Sequence, residues 1–156
     1  MKALNSFILT IFLVGLCNMT YAQKITEKEI HNAIELANIE YKTYLSNTLT
    51  LSEGETELFW GIINTYLNEK ENIWNEEIKL YAKDYSKLDD EGSIVFLKKN
   101  LKIDYKKKKL KNKYFRKVKK VLKPKSYLRF IQIDYYIETA RAYFISLQLP
   151  WIKQGK

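Results

Sequence analysis

Apolar side chains recur every three or four residues along most of the chain, which is the spacing of amphipathic α-helices. The first run consists of Ile30, Ile34, Ala37, Tyr41, Tyr44 and Leu45. It follows Thr26 and Glu29, whose spacing predicts a capping box that binds the free backbone N–H groups of a first turn. The pattern therefore predicts a first helix over about residues 26–47.

A second run predicts a longer helix with an acidic outer face. Its apolar positions are Phe59, Ile62, Ile63, Tyr66, Ile73, Leu80 and Tyr81, and its acidic positions are Glu55, Glu57, Glu69, Glu71, Glu76 and Glu77. One cap that fits its start pairs Thr50 with Glu53. An overlapping alternative pairs Ser52 with Glu55. We predict this helix over about residues 51–88.

The third helix is predicted to begin at the acidic segment Asp89-Asp90-Glu91, where carboxylates complement the positive end of the helix dipole. From there a seam in steps of three and four consists of Ile94, Leu97, Leu101, Asp104, Lys108, Lys111, Phe115, Val118 and Leu122. Because its middle three members are charged, we expect both ends of this seam to be buried, whereas its centre needs carboxylates, water or a partner. This helix is predicted over about residues 90–122.

Pro124 fits the first turn of a fourth helix, predicted over about residues 124–149. This helix has two apolar stripes, one formed by Leu128, Ile131, Tyr135, Ala142, Ile145 and Leu149 and the other by Phe130, Ile137 and Phe144. A helix that is apolar on two sides is expected to be largely covered by its neighbours. No segment keeps a period-two alternation for long, and the predicted connections are short. The sequence therefore predicts one all-α domain over residues 23–156, with four helices joined as antiparallel neighbours.

Residues 1–22 have the pattern of a secretory signal peptide rather than of a folded element. Lys2 supplies a positive start, residues 7–16 form a short apolar run, and Thr20-Tyr21-Ala22 is a small-x-small cleavage site. The run is shorter than the roughly 20 apolar residues that span a bilayer, so cleavage is favoured over an uncleaved anchor. We therefore expect export. The only cysteine, Cys17, would leave with this leader, and the remaining chain is compatible with an oxidising compartment.

The residue types that carry most enzyme and metal chemistry are scarce. His31 is the only histidine, and no cysteine occurs after the leader, so a zinc or soft-metal site lacks its usual ligands. No histidine stands beside a candidate nucleophile, and no glycine-rich phosphate loop occurs. We therefore expect a protein without catalytic residues, cofactor or metal.

Positive charge is concentrated in residues 98–125, which contain 15 lysines and arginines and a single acid. Residues 24–97 are acidic, with 7 basic and 15 acidic side chains. An acidic part of the chain is thus joined to a basic helix. The candidate partner-binding residues are Lys102, Lys106, Lys107, Lys108, Lys109, Lys111, Lys113 and Arg116.

These positive charges have two interpretations. In the first, a helical hairpin about residue 89 brings Lys108 and Lys111 against the second helix. Their partners there would be Glu69 and Glu71, in exposed pairs that contribute about 0.2–1 kcal/mol each. In the second, the charges exceed what the second helix can neutralise, and the remainder attracts an acidic partner, an unfolded acidic client or anionic head groups, more weakly as salt rises. Nucleic acid would suit the same charges, but the expected export argues against it.

Aromatic side chains are frequent in the predicted helices. Five tyrosines recur at helical spacing and are predicted to belong to the core. They are Tyr81, Tyr85, Tyr135, Tyr136 and Tyr143. Trp60 and Trp74 lie off the main apolar stripe and nearly on one face of the second helix. Either tryptophan is a candidate for a homodimer contact or a client-facing patch.

The segment Leu49-Thr50-Leu51-Ser52-Glu53, followed by Phe59-Trp60-Gly61, resembles the LTxxQ motif of the bacterial periplasmic Spy and CpxP-like group. Within that group it resembles especially the proteins labelled sensors of ECF-type sigma factors. Residues 114–125 are similar to the second motif region of the group. The motif and helix-cap residues implied are Leu49, Thr50, Glu53, Phe59 and Trp60. The chain departs from the pattern by having Glu53 in place of Gln, Gly61 in place of Pro and Lys123 in place of Thr.

This resemblance implies a bent cradle of four helices in the periplasm, often dimeric and without a cofactor. It also implies that the protein holds unfolded clients or restrains an envelope-stress signalling partner. The expected function is a non-enzymatic sensor or regulator of an ECF-type sigma-factor circuit. The alternatives are an ATP-independent holdase chaperone and, more weakly, a peripheral binder of anionic lipid.

Overall fold

The computed structural model describes residues 26–82 and 87–149, which form four α-helices. They are α1 (Glu27–Thr48), α2 (Glu53–Tyr81), α3 (Asp90–Val121) and α4 (Pro124–Gln148). No strand occurs in these two ranges, so the predicted all-α class is confirmed. The leader predicted at residues 1–22 lies outside the described residues.

The predicted starts of α1, α3 and α4 are confirmed. The carboxylate of Glu29 accepts a hydrogen bond from the Thr26 N–H at 2.7 Å, and Thr26 Oγ1 accepts one from the Glu29 N–H at 3.2 Å. Asp89 caps α3 by accepting a hydrogen bond from the Gly92 N–H at 2.7 Å. Pro124 is the first residue of α4, where its missing N–H would have no partner within the helix.

Glu55 ties the start of α2 to the connection between α3 and α4. One carboxylate oxygen accepts hydrogen bonds from the Ser52 N–H at 3.0 Å and the Ser52 hydroxyl at 2.7 Å. The other accepts the backbone N–H of Lys123 at 2.9 Å. These bonds, chiefly the one from the Ser52 side chain, lower the pKa of Glu55 to about 2. Ser52 is therefore the cap of α2. The alternative cap of Thr50 with Glu53 is wrong because it would place Leu51 and Ser52 in the first turn, whereas the helix begins only at Glu53.

Protonation of Glu55 is expected to weaken the fold between about pH 4.5 and pH 2. Since the folded-state pKa lies below the ordinary value of 4.5, the stabilisation is present above that value and is lost as the pH falls through the folded-state pKa. We expect Glu55→Gln to lower the melting temperature at pH 7 and to flatten its decrease in acid. Melting temperatures measured from pH 7 to pH 2, with Glu53→Gln as the neighbouring control, test this. Equal acid slopes for the two variants and the unmodified protein would contradict it.

The main core lies where α2, the carboxyl-terminal half of α3 and the start of α4 meet. The ring of Phe130 lies 4.7 Å from the ring of Phe115 and 5.6 Å from that of Phe59, between ring centres. Leu49 is buried in this core, and the half-buried Trp60 has its ring 5.2 Å from Phe59. The apolar positions of the quoted motif, Leu49, Phe59 and Trp60, therefore have packing roles.

A smaller cluster joins α1 to α2 and corrects the prediction for Trp74. Its side chain packs with Ile30 and Ile34, and the residue is only 6% exposed. The guanidinium of Arg141 from α4 lies 4.2 Å from the centre of the indole ring. Trp74 is thus an internal residue, and its prediction as a dimer or client contact is wrong.

The apolar seam of α3 points in a different direction from the predicted one. Its buried residues are Ile103, Leu110, Tyr114, Phe115 and Val118. Ile94, Leu97 and Leu101, which were expected to be buried, are 54%, 56% and 59% exposed. Because a helix has about 3.6 residues per turn, the observed seam is rotated by about a quarter turn from the predicted one. Only its carboxyl-terminal end coincides with the prediction.

α4 is covered on one side only, contrary to the prediction. The backbone of α4 approaches α1 and α3, and none of its described residues after Asp134 is fully buried. Predicted core positions that are exposed instead are Leu128, Tyr135, Tyr136, Ala142 and Tyr143. Tyr81 of α2 is half-buried, and Tyr85 lies outside the described residues. The side of α4 that carries Leu128, Tyr135 and Ala142 is therefore exposed in the described part of the chain, whereas Tyr136 stacks on Tyr44 of α1 at 5.7 Å between ring centres.

Candidate functional site

Part of the positive charge on α3 is neutralised by α2. The ion pairs are Lys106 with Glu76 at 2.6 Å, Lys107 with Glu77 at 2.6 Å and Lys113 with Glu69 at 2.9 Å. The Tyr81 hydroxyl donates a hydrogen bond to Asn100 Oδ1 at 2.7 Å, which fixes the same antiparallel register nearer the turn. The intramolecular interpretation of the charges is thus correct for these three lysines.

The register of this hairpin differs from the prediction by about one helical turn. Glu69 pairs with Lys113 rather than with Lys108 or Lys111. Glu71 lies 3.0 Å from Nδ1 of His31 on α1, so it is used between α1 and α2. The predicted partners of Lys108 and of Lys111 are therefore wrong.

Two of the paired lysines, Lys107 and Lys113, are held as cations by their own chain. Burial disfavours the charged form of Lys107, but the hydrogen bonds and charges of Glu77 and Asp104 outweigh it and raise its pKa. The hydrogen bond to Glu69 raises the pKa of Lys113. A partner that binds these lysines would have to replace carboxylates already in place, so they are poor candidates for a binding site.

Five other basic residues form a continuous surface along α3, which we call the outer face. They are Lys98, Lys102, Lys109, Arg116 and Lys120. All five are exposed, and none has a carboxylate within 4.0 Å among residues 26–82 and 87–149. Their spacing returns to nearly the same direction of the helix and extends over about 33 Å. Tyr105, which is 66% exposed, lies beside them.

Six further basic residues, four on α3 and two at the start of α4, are also exposed, and their side-chain ammonium groups have no ion-pair partner in the described part of the chain. They are Lys99, Lys108, Lys117, Lys119, Lys123 and Lys125. Together with the outer face they leave eleven of the 15 basic residues in residues 98–125 uncompensated by ion pairs. The interpretation of an uncompensated basic surface therefore holds for most of these charges.

The eight residues predicted as the binding set are divided between different environments. Those on the outer face are Lys102, Lys109 and Arg116, and those bound to α2 are Lys106, Lys107 and Lys113. Lys108 is exposed on an adjoining side of α3, and Lys111 pairs with a buried carboxylate of α4. Lys98 and Lys120, which belong to the outer face, were missing from the predicted set, although their spacing from Lys102 and Arg116 could have identified them.

A buried charged cluster between the helices was not predicted at all. Asp134 of α4 is fully buried, accepts a hydrogen bond from the Tyr41 hydroxyl at 2.9 Å and pairs with Lys111 of α3. Burial, reinforced by the charge of Asp134, raises the pKa of Tyr41 well above its ordinary value, so its hydroxyl keeps its proton. One carboxylate thus joins α1, α3 and α4.

A second ion pair, in which the ammonium is buried and the carboxylate is 31% exposed, fixes α4 to α2. Lys70 is 3% exposed, and its ammonium lies 2.6 Å from the carboxylate of Glu138 and 4.3 Å from the centre of the Trp74 ring. Arg141 reaches the same carboxylate at 3.5 Å. Burial lowers the pKa of Lys70 despite the attraction of Glu138. Burial would raise the pKa of Glu138, but Lys70 and Arg141 outweigh it and lower that pKa.

These two pairs, each with one buried and one partly exposed member, hold the helices together rather than present groups to a ligand. Their carboxylates are occupied by cations and a hydroxyl of the same chain. Among the described residues, no group of three or more His, Cys, Asp and Glu side chains is placed to hold a metal ion. The outer face of α3 is therefore the candidate functional site, and the two pairs fix the helices that support it.

No protein-family model, curated protein or solved structure matches this chain. The likeness to the Spy and CpxP-like group therefore rests on the motif residues themselves. Over residues 26–82 and 87–149, no helix combines the length and the apolar character needed to cross a membrane.

Proposed function

We propose that this chain is a non-enzymatic binding protein that recognises an acidic protein partner through the outer face of α3. One observation carries the proposal: five exposed basic residues follow one side of a single helix without a carboxylate from the described residues within 4.0 Å. Like charges held close together attract an oppositely charged surface, chiefly by accelerating encounter and selecting the partner. Salt weakens such attraction because exposed charges are screened.

The biological role proposed for this surface is regulation of an envelope-stress circuit of the ECF sigma-factor type. The leader-like residues 1–22 support placement in the periplasm, and the motif at residues 49–61 supports the kind of circuit. In this role the protein restrains its partner until stress draws the protein away from that partner. Binding of the partner and binding of the stress signal are then thermodynamically coupled.

Deletion of the gene is expected to change the activity of an envelope-stress reporter, and complementation tests the surface. An outer-face variant carries Lys102→Glu, Lys109→Glu and Arg116→Glu. A remote variant carries Lys28→Glu, Lys42→Glu and Arg129→Glu, the same change in charge at other sites of the described chain. We expect the unmodified protein and the remote variant to restore the reporter and the outer-face variant to fail. A reporter that does not respond to deletion would contradict the regulatory role.

A holdase chaperone is a second candidate, favoured by the apolar side chains beside the outer face. Ile94, Leu97 and Leu101 are each more than half exposed on α3. Such groups could grip an unfolded acidic chain after the lysines have attracted it. Suppression of client aggregation at a one-to-one ratio, lost in the outer-face variant, would favour this function, whereas a change in the reporter without such suppression favours the regulator.

A further inference from the structure

Exposed apolar residues on α3 form an apolar stripe alongside the outer face. Its members are Ile94, Leu97, Leu101 and Tyr105, which are 54%, 56%, 59% and 66% exposed. Steps of three and four residues keep them on one side of the helix, next to the side that carries the outer face. α3 therefore presents two parallel stripes, one apolar and one cationic, outside the core of its own chain.

The two stripes follow the repeat of an α-helix. The apolar stripe is about 17 Å long and the outer face about 33 Å long at a rise of about 1.5 Å per residue. A second helix that crosses α3 at a shallow angle stays in contact over several turns. It can then present apolar and acidic residues to α3 at positions i, i+4, i+7 and i+11. In an extended strand, successive side chains point to opposite sides, so every second residue would face away.

A flat anionic surface fits α3 less well than a single helix does, because acidic residues of α2 lie beside α3. Glu69 and Glu76, which bind Lys113 and Lys106, keep side-chain exposures of 44% and 50% along one edge of the hairpin. A broad surface that reaches α3 would also approach these carboxylates, and like charges repel. A single helix is about 10 Å wide, so it can lie along α3 without covering the acidic edge.

We infer that the partner segment recognised by α3 is an acidic amphipathic helix. Its apolar side covers the apolar stripe, and its carboxylates contact the outer face. This inference rests on the proposed function and adds the form of the partner. It corresponds to the recognition of a helix in a groove or along a second helix, in which anchors recur with the helical period.

Two peptides of identical composition test this inference by fluorescence anisotropy with the purified protein. One peptide places Leu at i, i+4, i+7 and i+11 with Glu on the neighbouring positions, and the other contains the same residues in scrambled order. We expect the amphipathic peptide to bind at least about tenfold more tightly than the scrambled peptide, since both carry the same charge but only one aligns with both stripes.

A matched pair of protein variants tests whether the apolar stripe causes the tighter binding of the amphipathic peptide. Leu101→Ser removes an exposed side chain of the stripe, and Leu58→Ser removes an equally exposed one, 59% in each case, on α2. Neither leucine is buried, so both variants are expected to fold. We expect Leu101→Ser to reduce the affinity for the amphipathic peptide several-fold without changing that for the scrambled peptide, and Leu58→Ser to change neither affinity.

The outcomes separate this inference from the proposed function. Equal affinities for the two peptides, both lost in the outer-face variant, would overturn the helical partner and leave the acidic-partner function standing. Absence of binding to either peptide would overturn both. Tight binding to vesicles with anionic lipid, not displaced by the amphipathic peptide, would overturn both in favour of a membrane surface.

Discussion

Replacing Glu138 by alanine is expected to lower the free energy of unfolding by about 3 kcal/mol, the lower end of the range for a buried ion pair, because the Glu138 side chain is itself 31% exposed. Lys70 is 3% exposed and has Glu138 as its carboxylate partner at 2.6 Å. Without that partner the ammonium must remain buried and uncompensated, move to solvent or lose its proton, and each of these costs free energy. Urea unfolding followed by circular dichroism measures the change.

Two further variants show whether the loss of unfolding free energy in Glu138→Ala comes from the burial of Lys70. Glu76→Ala removes the partner of Lys106 in an exposed pair, whose side chains are 50% and 34% exposed, and is expected to cost at most about 1 kcal/mol. The double variant Lys70→Met with Glu138→Leu replaces the whole pair by apolar groups and is expected to recover most of the loss. A cost for Glu138→Ala no larger than that for Glu76→Ala would contradict the proposed importance of this pair.

The four helices and three of their starts could be predicted from sequence because the determining signals are local. Thr26 and Glu29 lie within one turn of each other, and Pro124 needs no tertiary neighbour to define a helix start. The start of α2 was ambiguous because two caps overlap there. The observed cap of Ser52 with Glu55 has an additional bond from the backbone N–H of Lys123, which donates to Glu55 from far along the chain, and such a contact cannot be read from local spacing.

The faces of α3 and α4 could not be predicted because they depend on packing between helices. In α3, Leu101 and Ile103 are both strongly apolar, and only the packing of α3 against its neighbours decides that Ile103 is buried, at 4% exposure, and Leu101 is not. In α4, apolar residues on two sides indicated a covered helix, although the described chain covers one side. Sequence periodicity shows that a helix has an apolar side but does not determine which neighbour covers it.

The buried charges did leave a signal in the sequence. Lys70 stands four residues after Tyr66 and four before Trp74, and both aromatic residues are buried on the same side of α2. Asp134 likewise stands four residues after the buried Phe130. A charged residue in line with buried positions indicates a buried ion pair, but its partner depends on the register between helices, which the sequence did not fix.

The outer-face variant is expected to bind an acidic polymer about 30- to 100-fold less tightly than the unmodified protein at low salt. Each exposed charge pair contributes about 0.2–1 kcal/mol, and reversal replaces attraction by repulsion at three positions of one surface. The loss is therefore expected to amount to about 2.0–2.7 kcal/mol. The remote variant carries the same change in net charge, so it separates the effect of this surface from that of the total charge. Salt is expected to reduce the difference, because it screens exposed charges.

The affinity of the purified protein for poly-glutamate, compared among the unmodified protein, the outer-face variant and the remote variant, tests the central claim most directly. We predict a large loss of affinity in the outer-face variant, a loss of less than about threefold in the remote variant, and convergence of all three at high salt. Equal losses in the two variants would show that only the total charge matters. That result would contradict a binding surface on the outer face of α3.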